Sequence, residues 1–208
     1  MAEKTEHARL EAFCDGVFAI AITLLILEIK IPPVGSSHTT LEFWHRLLED
    51  WPSWFGFHLS FMIILVAWVN HHDCFKLISK SSPQFTYANG FMLLSVVIVP
   101  FSTGLMSEYL TTDLAQPAIT VYCFSILMHN LSWVLFGRAA MYPASLFKDR
   151  ESHDLYFKKI YRSSQAAFLF YCSLCLLSFW LPFVSMVIMT ASWLYWVFTT
   201  LVINPRQK

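Results

Sequence analysis

The sequence predicts an all-α fold: a polytopic membrane protein with six transmembrane helices in a single domain that covers residues 1–208. Two observations carry this prediction. Of the 208 residues, 56% are hydrophobic and only 13% are charged, whereas about a quarter of the residues in a typical soluble domain are charged. The apolar residues also gather in six stretches, each close to the roughly 20 residues that a helix needs to cross a bilayer. The formal net charge is zero, so composition does not indicate nucleic-acid binding.

Turn-forming and polar residues separate the six predicted spans. The first span stops at Pro32-Pro33, where a helix cannot continue. A short amphipathic segment from Leu41 to Leu48 follows, and we expect it to lie at the membrane interface. A charged loop is predicted from Arg138 to Lys159, and a tight turn at Leu181-Pro182 separates the last two spans. The predicted spans are approximately 10–31, 51–78, 85–106, 114–136, 161–180 and 183–203.

The basic residues predict the orientation of the chain in the membrane. With six spans and the N-terminus inside, only Lys30 and Arg46 fall on the outer side, out of 14 basic residues. Cytoplasmic loops carry an excess of Lys and Arg, so both termini are expected to be cytoplasmic in a multi-pass protein of the cell membrane. The inner set is Lys4, Arg9, Lys76, Lys80, Arg138, Lys148, Arg150, Lys158, Lys159, Arg162, Arg206 and Lys208.

The first span has a regular stripe of residues along one face. At 100° per residue, Gly16, Ile20, Thr23 and Leu27 lie within about 60° of one another. One interpretation is an ordinary packing stripe, because small and β-branched residues pack membrane helices together. The other is a pore lining, in which copies of this helix surround an axis and apolar side chains form a constriction that gates by dewetting.

Asp15 lies inside the first span and points away from this stripe. A carboxylate costs roughly 3 kcal/mol or more at the centre of a bilayer and less near its surface, so Asp15 requires partners. Arg9 is about 120° around the helix, and we therefore expect the partners on another helix or subunit. The candidates are Trp68, Asn70, His71 and His72, at a matching depth. They predict a structural network, or alternatively a proton-sensing or gating group, since histidine titrates near neutral pH.

The residues of the first span also form a motif. The run from Arg9 to Asp15 reads Arg-Leu-Glu-Ala-Phe-Cys-Asp, and it resembles the Arg-x-x-x-Phe-Ser-Asp signature of the endolysosomal potassium channel family, transmembrane protein 175, in its prokaryotic branch. Cys14 stands where the family has serine. The segment Trp68-Val-Asn70-His71 is similar to that family as well.

The resemblance implies a non-canonical potassium channel: a homotetramer in the lipid bilayer that conducts potassium ions without a cofactor. The first helix of each subunit would line a central pore, and Ile20, Thr23 and Leu27 match the family's constriction residues. A supporting network would then contain Arg9, Phe13, Cys14, Asp15, Trp68, Asn70 and His71. The Thr-Val-Gly-Tyr-Gly filter of conventional potassium channels is absent from the sequence, so selectivity must arise otherwise.

Three other classes of function remain open alternatives. A secondary transporter would need broken helices around a midplane site, and Pro100 is the one interruption that the spans contain. A haem protein would need histidine ligands, for which His58, His71 and His129 are the intramembrane candidates. An intramembrane enzyme would need a nucleophile–base pair or a metal motif, and none is recognisable, so we expect neither catalysis nor a bound metal. Cys172 and Cys175 form a CxxC inside an apolar run, where a core role is favoured over a redox or metal role.

Overall fold

The computed structural model describes residues 2–141 and 150–202, with side chains over 8–141 and 156–198. Three basic residues used for the orientation, Lys148, Arg206 and Lys208, lie outside the described residues, as does Ile203 at the end of the last predicted span. The described chain consists of seven α-helices and one 3-10 turn. They are α1 (Ala2–Leu24, continued as a 3-10 turn over Leu25–Glu28), α2 (Thr40–Glu49), α3 (Trp51–Leu77), α4 (Pro83–Tyr109), α5 (Ala115–Met141), α6 (Arg150–Leu177) and α7 (Pro182–Val202).

Six of these helices correspond in order to the six predicted apolar stretches. Four of them are long and apolar enough to cross a membrane: Ala8–Glu28, which includes the 3-10 turn, and α3, α4 and α5. In α6 a charged first half precedes an apolar second half, and the apolar part of α7 that is described runs over Pro182–Phe198.

The predicted charged loop between Arg138 and Lys159 was wrong in its extent. Helix α5 continues to Met141, and α6 already begins at Arg150. Lys, Arg, Glu and Leu are good helix formers, so a helix can run on past the apolar stretch into charged sequence. An apolar run therefore indicates which residues can lie in the bilayer, but it does not indicate where the helix ends.

Proline and hydroxyl residues define several helix ends. Ser82 caps α4 by accepting a hydrogen bond from the Phe85 amide at 3.2 Å, and Pro83 occupies the first turn, where no backbone N–H is needed. Pro182 begins α7 in the same way. Inside α4 the helix continues through Pro100, and the Thr103 hydroxyl donates to the Val99 carbonyl at 2.8 Å. Packing against neighbouring helices lets a membrane helix tolerate an internal proline, and α4 has α1, α3 and α5 as neighbours.

Helix α2 has no buried residue within the chain. Thr39 caps it by accepting from the Glu42 amide at 3.2 Å, and the Glu42 carboxylate reaches past the cap to accept from the His38 amide at 2.7 Å, a variant of the capping box. Its apolar side chains Leu41, Trp44 and Leu48 are exposed. An amphipathic helix with a bare apolar face is typical of a segment that lies on a membrane surface.

Helix α4 lies at the centre of the bundle and packs against α1, α3 and α5. Buried hydroxyls join these helices. Ser60 on α3 is hydrogen-bonded to Thr103 on α4 at 2.6 Å and to Tyr122 on α5 at 3.1 Å, and Ser102 bonds Ser125 at 2.7 Å. Hydrogen bonds between helices substitute for a hydrophobic driving force that is lacking inside a bilayer. This core holds α3 and α4 in place as the platform for α1.

Candidate pore helix and its supporting network

The inner face of α1 is fully buried. Cys14, Phe18, Ala21 and Leu25 are each at most 1% exposed, and their spacing of four, three and four residues places them on one side of a helix. This face packs against α3 and α4. The chain therefore fixes the rotation of α1 about its own axis.

The opposite face of α1 has no cover within the chain. Ile20 is 60% exposed and Leu27 is 71% exposed, and Gly16 and Thr23 are exposed as well. The Thr23 hydroxyl donates to the Ile20 carbonyl at 2.9 Å, so its methyl group adds to a largely apolar stripe. In a membrane this stripe can contact only lipid, ions and water, or other subunits.

The helical form of the stripe changes at its last member. Leu27 lies in the 3-10 turn over Leu25–Glu28, not in the α-helix, so the 100° spacing assumed from sequence does not hold there. The turn ends at Ile29, whose backbone is extended. Ile31 then precedes Pro32-Pro33, and a proline disfavours the helical conformation for the residue before it. Leu27 nevertheless remains exposed.

Asp15 is held between α1 and α3. The Trp68 indole N–H donates to the Asp15 carboxylate at 2.9 Å. The Trp68 ring stacks on His72, with ring centroids 5.8 Å apart and 16° between the planes, and His72 Nδ1 lies 3.4 Å from the Glu11 carboxylate. Two carboxylates of α1 thus lie against two aromatic rings of α3, and the one that accepts a hydrogen bond is Asp15.

A second chain of hydrogen bonds runs through Asn89 on α4. His71 is fully buried, and its Nε2 lies 2.8 Å from Asn89 Oδ1, so this ring nitrogen is the donor. The Asn89 amide in turn donates to the Cys14 thiol at 2.9 Å. Rings of Phe18 and Phe75 surround the imidazole at 5.2 and 4.5 Å. The chain Cys14–Asn89–His71 therefore joins α1, α4 and α3.

Sequence reasoning missed Asn89, although an amide inside an apolar span is itself a signal, because such groups need partners. Of the residues singled out from the sequence, the structure brings together Cys14, Asp15, Trp68 and His71. Asn70 is different: its amide donates to Val66 on its own helix at 2.9 Å.

Arg9 and Phe13 lie on the exposed side of the helix. Within the part of the chain that the structure describes, neither residue contributes to the hydrogen bonds around Asp15.

The far end of α1 is tied to α4. The Glu28 carboxylate lies directly against Gly104, where a side chain would collide with it. Lys30 forms an ion pair with Glu108 on the same helix. Together with the Asp15 and Cys14 contacts, these links hold the first span against α3 and α4 between Cys14 and Lys30.

The histidines considered as haem ligands have other contacts. His58 Nδ1 lies 2.7 Å from the Trp54 carbonyl, one turn back on α3. His129 is buried between Ser95 and Trp133, at 3.0 and 3.2 Å. Cys172 and Cys175 are free thiols, and the described residues contain no group of three side chains that could hold a metal ion.

Comparison with known proteins now decides the family. A model of the family described as "Endosomal/lysosomal potassium channel TMEM175" matches residues 9–100, which include most of α1, all of α3 and the hydrogen-bond network of Asp15 and Cys14. A potassium channel of Chamaesiphon minutus is 40% identical over 181 residues, which cover 86% of this chain and 89% of that protein. The chain belongs to the TMEM175 potassium channel family.

Two further relatives place the chain within this family. The human endosomal/lysosomal proton channel TMEM175 is 30% identical over 195 residues, which cover 85% of this chain but only 37% of the human protein. The crystal structure of a lysosomal potassium-selective TMEM175 homolog from Chamaesiphon minutus matches with a TM-score of 0.80 at 36% identity, covering 93% of this chain and 97% of that one. The match to this structure confirms the predicted all-α, polytopic membrane fold, and the helices of the described chain are compatible with six spans.

Proposed function

We propose that four copies of this chain assemble around an axis and form a potassium-preferring cation leak channel. The first helix of each subunit lines the central pore. The permeant ion is potassium, and no cofactor takes part. The residues that face the ion path are Ile20, Thr23 and Leu27.

The exposure of this stripe carries the proposal. Only 22% of the spanning window of α1 is buried within the chain, against 50% to 56% for α3, α4 and α5. Hydrogen bonds fix the inner face of α1, and its outer face is exposed. Something outside the subunit must therefore contact this outer face. In a channel the outer face contacts the pore and the neighbouring subunits. A pore also explains why the polar residue Thr23 interrupts an otherwise apolar row.

Three rings of side chains form the constriction in this arrangement. Ile20 and Leu27 bracket Thr23 over roughly 10 Å of helix, from the rise per residue. Narrow apolar rings of this kind exclude water. The conductance of the channel therefore depends on how wide the rings are. Potassium preference then reflects the cost of removing water from the ion at these rings and not coordination by backbone carbonyls.

The network behind the stripe sets the width of the pore. The bonds of Asp15 to Trp68, and of Cys14 through Asn89 to His71, hold the inner face of α1 against α3 and α4. Arg9 and Phe13, exposed in one subunit, contact a neighbouring subunit in the assembled channel. Asn70 contributes by holding the Val66 turn of α3.

The channel lies in the cell membrane with both chain ends in the cytoplasm. The distribution of Lys and Arg along the sequence supports this orientation. It places the Asp15 network near the cytoplasmic side and the Glu28–Gly104 contact near the outer side.

The names of the relatives divide between potassium and proton channels, so the permeant ion is the property to measure. The experiment reconstitutes the full chain in planar bilayers with potassium on one side and sodium on the other, at equal pH. We expect a current whose reversal potential makes the potassium side strongly negative, because potassium leaves that side faster than sodium enters it, and this potential should not shift when a pH gradient is added. A reversal potential that follows the pH gradient, or a current carried equally by both cations, would contradict potassium preference.

A further inference from the structure

A second feature of the chain concerns the lipid around it. A pocket of about 550 Å³ opens at the end of α5 and the beginning of α6, where the two helices pass each other. Five side chains line it. They are Arg138, Met141, Lys158, Tyr161 and Arg162.

The charge of this pocket is one-sided. Three of its five lining residues are basic, and none of the described side chains that line it is acidic. Arg138 and Arg162 are both exposed. These two guanidinium groups, one on each helix, give the pocket the charge that suits an anion.

Exposed apolar surface adjoins the pocket, which favours a lipid over a free ion as its ligand. On α5, Leu135 lies one turn from Arg138 and is 38% exposed; on α6, Leu169 lies two turns from Arg162 and is 69% exposed. Residues three and seven apart share a helix face, so bare apolar surface leads from the basic pocket along both helices. Tyr161 lines the pocket at the junction, where aromatic side chains favour the membrane–water interface.

We infer that this pocket binds the phosphate head group of an anionic phospholipid, with the acyl chains along the apolar faces of α5 and α6. Arginine guanidinium groups bind phosphate oxygens in pairs, and basic pockets between membrane helices hold anionic head groups. None of the residues that line the pocket belongs to α1, so this inference stands independently of the proposed pore. Under the proposed orientation, the lipid belongs to the cytoplasmic leaflet.

The experiment measures lipid binding to the full chain in detergent by native mass spectrometry. The probes are dioleoyl phosphatidylglycerol, dioleoyl phosphatidylcholine and soluble glycerol phosphate. We expect phosphatidylglycerol to bind more tightly than the other two. Each basic residue contributes roughly fivefold to binding at an anionic lipid surface, so Arg138→Gln combined with Arg162→Gln weakens binding of phosphatidylglycerol roughly 25-fold.

The matched control is Lys159→Gln, which removes one charge from the same stretch of α6 but lies on a different cavity, toward α3 and α7. We expect it to bind phosphatidylglycerol as the unmodified chain does, and the charge-retaining pair Arg138→Lys with Arg162→Lys to keep most of the affinity. If the double glutamine variant fails to fold, Arg162→Gln alone gives the roughly fivefold loss. The inference is overturned if the glutamine variants bind unchanged, if Lys159→Gln loses as much as they do, or if glycerol phosphate binds as tightly as the lipid.

Discussion

The indole N–H of Trp68 donates a hydrogen bond to the Asp15 carboxylate at 2.9 Å, and this bond joins the exposed first helix to α3. The bond matters because a carboxylate within a spanning helix needs a polar partner, and lipid tails cannot supply one. Trp68 therefore gives Asp15, which points away from the exposed stripe of α1, a hydrogen-bond donor on the neighbouring helix.

Replacing Trp68 by Phe removes the donor and leaves the carboxylate with one partner fewer. Hydrogen bonds between membrane helices contribute roughly 0.6 kcal/mol on average and up to about 1.7, and a bond to a charged group lies toward the upper end. We expect Trp68→Phe to lower the melting temperature of the detergent-purified protein by several degrees. Trp54→Phe on the exposed side of the same helix is the control and should leave it unchanged; equal losses would show that the hydrogen bond is unimportant.

Asn89 links Cys14 to His71, so its loss affects both. In Asn89→Ala the buried imidazole loses the one hydrogen bond that the described chain gives it, since Nδ1 has no partner there. Leaving a buried donor unpaired costs roughly 1–3 kcal/mol. Thermal unfolding of Asn89→Ala and of Asn70→Ala compares the two amides, because the Asn70 amide bonds only its own helix. We expect the first to be clearly destabilised and the second within about 0.5 kcal/mol of the parent; the reverse order would contradict the assignment.

Gly56 allows α3 to approach α4. A Cβ at this position would collide with the Ser107 hydroxyl and come within 3.0 Å of the Thr103 methyl group, and both belong to short side chains on a packed helix. Overpacking typically costs 1–3 kcal/mol, so Gly56→Ala should lower stability. Gly90→Ala on α4 meets open space and should stabilise the helix by roughly 0.5–1 kcal/mol. Unfolding curves of the two variants that moved in the same direction would contradict the packing described here.

Shortening the apolar rings tests the constriction. Ile20→Ala and Leu27→Ala widen the proposed narrow points, so we expect a higher single-channel conductance and a weaker preference for potassium over sodium. Leu169→Ala is the matched control, because its 69% exposure on α6 equals that of Leu27 within a few per cent. Bilayer recordings in which all three variants behaved like the parent would contradict the constriction.

The helix count and the exposed stripe could be predicted from the sequence because both depend on residues within one helix. Hydrophobic runs of about 20 residues mark the spans, and the spacing of Gly16, Ile20 and Thr23 follows from helix geometry. The 3-10 turn at Leu27 could not be read in this way, since it depends on the prolines that follow and on contacts with α3 and α4.

The partners of the network were less predictable. Trp68 was among the candidates for Asp15 because its depth matched, but Asn89 lies on a third helix, and sequence spacing does not reveal which helices touch. The extension of α5 and α6 into charged sequence was also missed. Hydropathy indicates which residues partition into the bilayer, whereas helix propensity decides which residues can continue a helix.

The most direct test of the central claim is cadmium block of Thr23→Cys. If copies of α1 surround the pore, this substitution places a ring of thiols at the constriction, and soft thiolate ligands bind such metals tightly. We predict that micromolar Cd²⁺ reversibly blocks the Thr23→Cys current, while the unmodified channel and Leu169→Cys keep conducting. Thr23→Cys currents that cadmium leaves unaffected, or a block that appears only in Leu169→Cys, would contradict a pore lined by the first helix.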